Sequence, residues 1–459
     1  MRRAVTLSLL SIGCLSAVVA PAAEPASEQV RIVHAGRLLA VPGEPPRERQ
    51  SVIVRDGLIA EIRDGFVAAG EVESSGSVEI IDLSSQFVLP GLTDLHTHIT
   101  GELGPHSKLA AVTLNPVDHA LDGVVFLRRT LEAGFTTIRN TGGDPEVMFA
   151  LRRGVAAGKI AGPRIFAAGA AVANTGGHAD SHGYLEEILE LFQSSGVCDG
   201  ADDCRRAVRA QIKRGSDWIK ITATGGVLSE TAAGVGQQLF ADELEAIVET
   251  AALMGRKVAA HAHGTDGINA ALRAGVATIE HGTYSDQVSF ALFRETGAYL
   301  VPTILAGATV AQMARESDFV PPPIRKKALE VGPKMIEMVR AAHEAGVRIA
   351  FGTDSGVSRH GDNAREFGLM VEAGMSPMEA IAAATVVAAE VLGVTAEQGT
   401  IEPGKRADLI ATSGSPLDDV NQLMAVRFVM KEGEIYKNEV DSPAPTVASG
   451  GERPVGAAR

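Results

Sequence analysis

The chain has 459 residues, a formal net charge of −14, three cysteines and 50 glycines. This length suits one large domain with an accessory domain, or two to three ordinary domains. The acidic balance argues against nucleic acid as a partner, since a phosphate backbone attracts a basic surface. A hydrophobic fraction of 45% excludes a disordered chain, and so few cysteines exclude a disulfide scaffold or a cysteine-rich zinc module.

The first 23 residues (1–23) have the features of a secretory signal peptide. Arg2 and Arg3 precede an uncharged apolar run, and small residues around Ala22 form a cleavage region. We therefore expect an exported protein, periplasmic or secreted, with no membrane association after cleavage. The alternatives are an uncleaved anchor or a lipoprotein modified at Cys14.

Cleavage would leave two cysteines, Cys198 and Cys204, separated by the polar run Asp-Gly-Ala-Asp-Asp. In an oxidising compartment such a pair can close as a disulfide. The alternative is two free thiols, because a disulfide also requires a short distance between the two Cα atoms.

Two segments far apart in the chain predict short strands. Residues 24–88 contain the hairpin signal Asp56-Gly57, and residues 399–440 contain a turn at Glu432-Gly433 between apolar runs. We expect the two segments to meet as one small β-sandwich domain. The tail at 441–459 is rich in proline, serine and glycine and is predicted to be disordered.

Between these segments, residues 89–398 repeat a helical stretch, a glycine and a short apolar strand. Glycine follows a helix readily because it adopts the left-handed conformation at little cost. Eight candidate strands fit the spacing, from Leu89–His98 to the one that leads into Gly352-Thr-Asp354. The pattern predicts an α/β fold with a parallel (β/α)8 TIM-like barrel. The alternative is a doubly wound open sheet, which no glycine fingerprint after the first strand supports.

A barrel builds its active site at the carboxyl ends of its strands. Side chains suited to metal binding follow the candidate strands there: His96, His98, His261, His281 and Asp354. His96 and His98 are two residues apart in an extended strand, so their side chains point the same way. Imidazole and carboxylate ligands suit divalent transition metals, zinc above all, and we predict a metal site.

Lys220 lies at the end of the fourth candidate strand, in the company of these ligands. A buried lysine loses its proton readily. The neutral amine can combine with CO2 to form a carbamate, an anionic group that can bridge two metal ions. The alternative is an ordinary lysine paired with an acid.

Several runs of this chain resemble motifs of the amidohydrolase superfamily: Leu89-Pro-Gly-Leu-Thr-Asp-Leu-His-Thr-His98, Gly352-Thr-Asp354 and Glu402-Pro-Gly-Lys-Arg-Ala-Asp-Leu-Ile410. Others resemble its binuclear Xaa-Pro dipeptidase and carboxypeptidase-like branch: Ile219-Lys-Ile-Thr-Ala-Thr-Gly-Gly-Val227, His261-Ala-His-Gly264 and His360-Gly-Asp-Asn-Ala-Arg-Glu366. That branch includes exported bacterial amidohydrolases that cleave ochratoxin A, and the resemblance covers essentially the whole mature chain.

The resemblance implies a site with two divalent metal ions, most simply Zn2+. His96, His98 and Asp354 would bind the first ion. His261 and His281 would bind the second, and N6-carboxylated Lys220 would bridge both together with a hydroxide. His261 competes with His263 for one ligand position. The resemblance also implies a homo-oligomer, for example an octamer.

The implied reaction is hydrolysis of an amide bond in a small-molecule or peptide substrate. Hydroxide attacks the carbonyl, Asp354 carries the proton to the leaving amine, and His263 contacts the carbonyl or carboxylate. We expect release of a hydrophobic C-terminal amino acid, with ochratoxin A among the substrates. Further candidate substrate contacts are His178, His360 and Arg365, the last with a helix-surface arginine as its alternative.

Two other kinds of function remain as alternatives. A deaminase, a cyclic-amide or imidazolone hydrolase, or a lactonase can use the same barrel. Mononuclear deaminases often have glutamate where this chain has Gly264, which favours the amide hydrolases. A non-catalytic exported binding protein is the remote alternative, which the complete ligand set disfavours.

Overall fold

The computed structural model of the protein describes residues 29–192, 194–229 and 234–440. The signal peptide predicted at 1–23 and the disordered tail predicted at 441–459 lie outside the described residues. The predicted site residues all fall within the described residues.

Strands lie near both ends of the described chain and alternate with helices between them. The first group comprises β1 (Val30–Leu38), β2 (Arg47–Arg55), β3 (Leu58–Asp64) and β4 (Val78–Pro90). The middle group comprises β5 (Leu92–Thr97), β6 (Phe135–Asn140), β7 (Arg164–Ala167), β8 (Ile219–Thr222), β9 (Val258–Ala262), β10 (Thr278–His281) and β11 (Tyr299–Val301). The last group comprises β12 (Leu409–Thr412), β13 (Phe428–Lys431) and β14 (Glu434–Asn438).

The first and last groups form a single sheet. Among the described residues its strands lie in the order β14-β13-β12-β4-β1-β2-β3, with β1 and β4 parallel. β4 joins the two halves because Leu89 and Pro90 pair with Ile410 and Leu409. The two distant segments therefore meet, as the sequence led us to expect. A sandwich of two packed layers and the exact domain boundaries stay predictions.

The first strand of the central region begins later than predicted. Leu89 and Pro90 belong to β4, whereas β5 starts at Leu92. Gly91 separates the two strands, and a Cβ atom there would lie only 2.3 Å from Oγ1 of Thr136. The chain can pass from the small sheet into the central region at this point because residue 91 has no side chain.

The middle group forms parallel sheets, which confirms the α/β prediction. In the described part of the chain, one sheet has the order β11-β10-β9-β8 and another β5-β6-β7. Isolated parallel bridges link their edges: Val172 to Ile221, Thr97 to Ser355 and Leu300 to Ile349. The predicted eighth strand is present only through such bridges, at Ile349 and Ser355. The closed eight-stranded barrel stays a prediction.

Helices fill the connections and cover the parallel sheets. Their bounds are α1 (Ser107–Thr113), α2 (Pro116–Glu132), α3 (Pro145–Ala156), α4 (Glu186–Leu189), α5 (Ala201–Arg214), α6 (Ala241–Leu253), α7 (Thr265–Ala274), α8 (Gln287–Thr296), α9 (Ile304–Glu316), α10 (Pro322–Glu344), α11 (Arg365–Glu372), α12 (Pro377–Ala383) and α13 (Val386–Leu392). α5 and α7 end at Gly215 and Gly275, whose φ angles of 110° and 91° match the helix–glycine–strand pattern. In the described residues, every helix is too short or too polar to cross a bilayer.

Candidate metal centre

The predicted ligands lie at the carboxyl ends of the parallel strands and line one cavity of about 1250 Å³. β5 carries His96, β8 carries Lys220, β9 carries His261, and β10 ends at His281. His98, His263 and Asp354 follow just beyond strand ends or bridges. The topology brings together residues that are more than 250 positions apart in sequence because parallel strands end at the same edge.

His96, His98 and Asp354 form the first cluster, whose candidate ligand atoms all lie within 4.8 Å of one another. Oδ1 of Asp354 lies 3.2 Å from Nε2 of His98 and 3.5 Å from Nε2 of His96. Three such donors facing a common point are the ligand set expected for a divalent metal ion such as zinc.

His261, His263 and His281 form the second cluster, again with candidate ligand atoms within 4.8 Å. Their ring centroids are separated by 4.6 to 4.8 Å. The two clusters adjoin, since the rings of His96 and His281 are 5.1 Å apart. Nζ of Lys220 lies 3.5 Å from Nε2 of His96. A carbamate formed on this nitrogen would therefore lie beside the first cluster.

The ring nitrogens that face away from the cavity have partners of their own. Nδ1 of His98 lies 3.0 Å from the carbonyl oxygen of Gly142, and Nδ1 of His281 lies 2.6 Å from Oγ1 of Thr303. These contacts orient each ring so that Nε2 is the available ligand atom.

His261 and His263, the two competitors for one ligand position, are held differently. The carbonyl oxygen of Gly225 lies 3.4 Å from Nε2 of His261, which leaves Nδ1 for a metal. Nδ1 of His263 lies 2.8 Å from Oγ1 of Thr283, which leaves Nε2 for a metal or a substrate. Both rings line the cavity, and the choice between them stays a prediction.

Burial keeps His96, His261, His263 and His281 in the neutral form that metals bind. Desolvation, followed by the charge of Lys220, lowers the pKa of His96 to about 4. Desolvation also lowers the pKa of His263 to about 4 and those of His261 and His281 well below the ordinary value. At neutral pH these imidazoles are therefore unprotonated and available as ligands.

The environment shifts the pKa values of both Lys220 and Asp354. Burial lowers the pKa of Lys220 to about 8, although the nearby carboxylates of Glu280 and Asp354 oppose that shift. The neutral amine is therefore the minor form at physiological pH, but it is far more populated than in an ordinary lysine. Burial alone would raise the pKa of Asp354, but His96 and His98 outweigh it and the pKa is lowered.

The sequence analysis missed two buried acids that support the ligands. Oε2 of Glu280 lies 2.7 Å from Nδ1 of His96. Oδ1 of Asp94 accepts a hydrogen bond from the backbone N–H of His96, and Oδ2 accepts one from Thr353. The sequence could have pointed to Asp94, because it stands two residues before His96 on the same strand. For Glu280 the sequence offered only its position directly before His281.

His178 lines the cavity beside the second cluster, with its ring 4.2 Å from that of His261. Its ring packs over Gly226, where a Cβ atom would lie 2.2 Å from Cε1 of His178. Desolvation lowers the pKa of His178 to about 3, so the ring is neutral. In the described structure its buried Nδ1 has no hydrogen-bond partner, and a substrate could supply one.

The other two candidate substrate contacts lie outside the cavity lining. His360 is buried, its Nε2 lies 3.0 Å from the carbonyl oxygen of Gly101, and its ring stacks on Phe126. Arg365 is half exposed at the start of α11 and lies 3.9 Å from Asp362. Arg365 therefore has the alternative role of a helix-surface arginine, and His360 has a packing role.

One wall of the cavity is apolar. It is built mainly by α9, α10 and the loops near them, with Val227, Leu228, Val310, Ala328, Val331, Met335 and Val357 in the lining. An apolar wall opposite a cluster of polar groups is the usual arrangement of a small-molecule site, in which the wall selects a hydrophobic group of the ligand.

A disulfide between Cys198 and Cys204 closes the loop beside another part of the lining. The Cα atoms of the two residues are 5.0 Å apart, and both residues are fully buried. Val197, next to the disulfide, forms a bridge with Ala173. The disulfide thus ties the loop to α5, and the bridge at Val197 ties it to the segment that follows β7.

The profile of the amidohydrolase family matches residues 87–436 of the chain. The chain belongs to the amidohydrolase family. Ochratoxinase from Aspergillus niger is 31% identical in an alignment 435 residues long that covers 89% of this chain and 87% of that protein.

Solved structures of related amidohydrolases support the same family assignment. A Xaa-Pro dipeptidase with methionine bound in its active site gives a TM-score of 0.83 at 40% identity, over 89% of this chain and 100% of the other. A prolidase in complex with N-methylphosphonate-L-proline gives a TM-score of 0.81 at 31% identity, over 89% of this chain and 100% of the other. The predicted resemblance is therefore confirmed.

Membership of this family makes the protein a hydrolase that acts on amide bonds. Amidohydrolases generally use metal ions, and the two histidine-rich clusters are the candidate sites for them here. The imidazole and carboxylate donors and their shared cavity fit divalent metals.

Proposed function

We propose that the protein is a binuclear zinc amidohydrolase that releases a hydrophobic C-terminal amino acid from N-acyl amino acids or dipeptides, with ochratoxin A among its substrates. The observation that carries the proposal is the convergence of two histidine-rich clusters and Lys220 on one cavity. Carboxylation of Lys220 by CO2 is part of the proposal, and its lowered pKa of about 8 supports it. His96, His98 and Asp354 would hold one ion, and His261 and His281 the other.

Bound divalent ions supply Lewis acidity, which polarises the scissile carbonyl and activates water for attack. Asp354 accepts the proton of that water and delivers it to the amine, which is a poor leaving group until protonated. Oδ1 of Asp354 lies 3.2 Å from Nε2 of His98 in the first cluster, so this carboxylate is placed beside the water that it would deprotonate.

His263 is the proposed contact for the carbonyl oxygen. When the Thr283 hydroxyl donates to Nδ1 of His263, the proton of the neutral ring is on Nε2, facing the cavity. An N–H donor held in this way stabilises the negative charge that develops on the carbonyl oxygen. His178, with its unpaired and buried Nδ1, is the proposed contact for the substrate carboxylate.

The protein is also proposed to act outside the cytoplasm and as a homo-oligomer. The signal-like residues 1–23 and the Cys198–Cys204 disulfide support export, because disulfides persist in oxidising compartments. Leu109, Val117 and Leu121 are more than half exposed on α1 and α2, and such apolar patches often mark protein interfaces.

A substrate panel with the zinc-loaded protein tests the proposed reaction. The panel contains N-acyl phenylalanine, N-acyl aspartate, hydrophobic dipeptides, ochratoxin A, a lactone and an imidazolone, with products separated by chromatography. We expect release of phenylalanine and little cleavage of the aspartate compound. Turnover of the lactone or imidazolone without amide cleavage would overturn the proposal, as would a zinc content well below two ions per chain.

A pair of variants on α10 tests the role of the apolar wall. Val331 is buried in the cavity lining, whereas Leu329 on the same helix is 40% exposed and outside the lining. Val331→Phe should fill part of the cavity and raise KM for N-acyl phenylalanine by about tenfold or more, the usual effect of about 1.4 kcal/mol or more of lost binding. Leu329→Phe should leave KM unchanged.

A further inference from the structure

Glu280 and Arg139 form a fully buried ion pair directly behind His96. Nη2 of Arg139 donates to Oε1 of Glu280 at 2.8 Å, and both side chains have no solvent exposure. The other carboxylate oxygen, Oε2, lies 2.7 Å from Nδ1 of His96. The carboxylate thus divides its two oxygens between a charged partner and a candidate metal ligand.

Arg139 is held from several strands, so it can hold Glu280 in turn. Its Nε donates to the carbonyl oxygen of Leu95 at 2.6 Å, and its Nη1 donates to Oγ1 of Thr278 at 3.1 Å. Its guanidinium lies 4.7 Å from the ring centroid of Trp218. The network ties β5, β6 and β10 together and leaves the Glu280 carboxylate little freedom to turn away from His96.

This arrangement distinguishes His96 from the other candidate ligands. Nδ1 of His98 faces a backbone carbonyl, and Nδ1 of His281 faces a threonine hydroxyl. Both partners are neutral. The carboxylate of Glu280, by contrast, forms a buried ion pair with the guanidinium of Arg139, so His96 faces a charged partner.

We propose that Glu280 is a positioning residue that makes the His96–His98–Asp354 cluster the tighter of the two metal sites. A carboxylate that accepts the Nδ1 proton fixes the tautomer of His96, directs Nε2 into the cavity and makes that nitrogen a stronger donor to a metal. Arg139 acts through Glu280 by keeping the carboxylate in place. The inference rests on the proposed metal centre.

Zinc binding by the whole protein provides the test, with zinc per chain measured across a series of chelator-buffered zinc concentrations. The wild type should bind zinc in two separable steps. Glu280→Gln should weaken the tighter step by about 10- to 100-fold and change the weaker step by less than about threefold, the range seen when a partner of a ligating histidine is lost. Cobalt-substituted protein should show a matching change in its visible absorption.

Two further variants separate metal positioning from loss of the fold. Glu280→Gln leaves Arg139 buried without its counter-charge, so the double variant with Arg139→Met restores neutrality. The double variant should have the circular dichroism spectrum of the wild type and should still bind zinc more weakly in the tighter step. Glu243→Gln is the matched control, because Glu243 is also buried but accepts hydrogen bonds from the backbone of Gly200 and Phe240. Its two zinc steps should be unchanged.

The outcomes distinguish this inference from the proposed function. A folded double variant whose tighter step stays within about threefold of wild type would overturn the role of Glu280 and leave the metal centre standing. Two zinc ions that bind the wild type in one indistinguishable step would also overturn it. A wild-type protein that binds no zinc would overturn the proposed function and this inference together.

Discussion

Asp354→Asn separates the proton transfer from the architecture of the site. Asparagine has nearly the same shape as aspartate and tolerates the left-handed φ of 58° at this position. Its amide oxygen can still face His98, whose Nε2 is 3.2 Å from Oδ1 of Asp354. The amide cannot accept and return a proton, so the substitution removes the step assigned to Asp354 with little change of backbone.

The expected loss follows from the usual contribution of a general acid–base, about 10²- to 10⁴-fold in rate. At 1.36 kcal/mol for each tenfold change, this corresponds to about 2.7 to 5.4 kcal/mol of the activation barrier. The assay is kcat/KM for release of phenylalanine from an N-acyl substrate, with the zinc content of each preparation determined in parallel. Circular dichroism should match that of the wild type.

Asp362→Asn is the control, because it is the same chemical change at a partly exposed aspartate beside Arg365. It should retain wild-type kcat/KM. A zinc-loaded Asp354→Asn protein with activity within about threefold of wild type would refute the assignment, since no general acid–base contributes so little. Loss of activity with loss of zinc would reflect the ligand role that is also proposed for Asp354, so the comparison is made only between preparations of equal zinc content.

Two predictions concern stability, each measured as the free energy of unfolding in urea. Burial raises the pKa of Glu366 from 4.5 to about 8, so the folded state loses stability relative to the unfolded state as pH rises through this interval. Compared with Glu366→Gln, the wild type should lose up to about 5 kcal/mol between pH 4.5 and 8, and a difference independent of pH would contradict this. Replacing Cys198 and Cys204 by serine opens a loop of sequence separation 6 and should cost about 2 kcal/mol; equal stability of the oxidised wild type and the serine variant would argue against it.

Much of the candidate site could be predicted because its signals are local. His96 and His98 are two residues apart on one strand, and glycine marks the helix ends that precede several strands. Since parallel strands of such a fold end at one edge, residues at strand ends could be assigned to one place without knowledge of contacts. The family resemblance supplied the roles of these residues, and the family match confirmed the resemblance.

Other features of the structure depend on packing, which a local sequence pattern does not report. His360 follows a strand region, as Asp354 does, yet it packs on Phe126 outside the cavity lining. The boundary at residue 89 was wrong for the first strand because β4 continues to Pro90 through pairing with β12, which lies more than 300 residues later. A local pattern does not report which distant strand completes a sheet.

The length, acidic charge and few cysteines of the chain excluded several classes of protein, and the histidine, aspartate and lysine motifs by themselves determined the chemistry of the ligands. Only the tertiary structure decided how those ligands are held. Glu280 carries no periodic signal, and Arg139 is remote in sequence from both Glu280 and His281. Their contact with His96 exists because three strands bring these side chains into one interior that excludes water, where an ion pair persists only with complete hydrogen bonding.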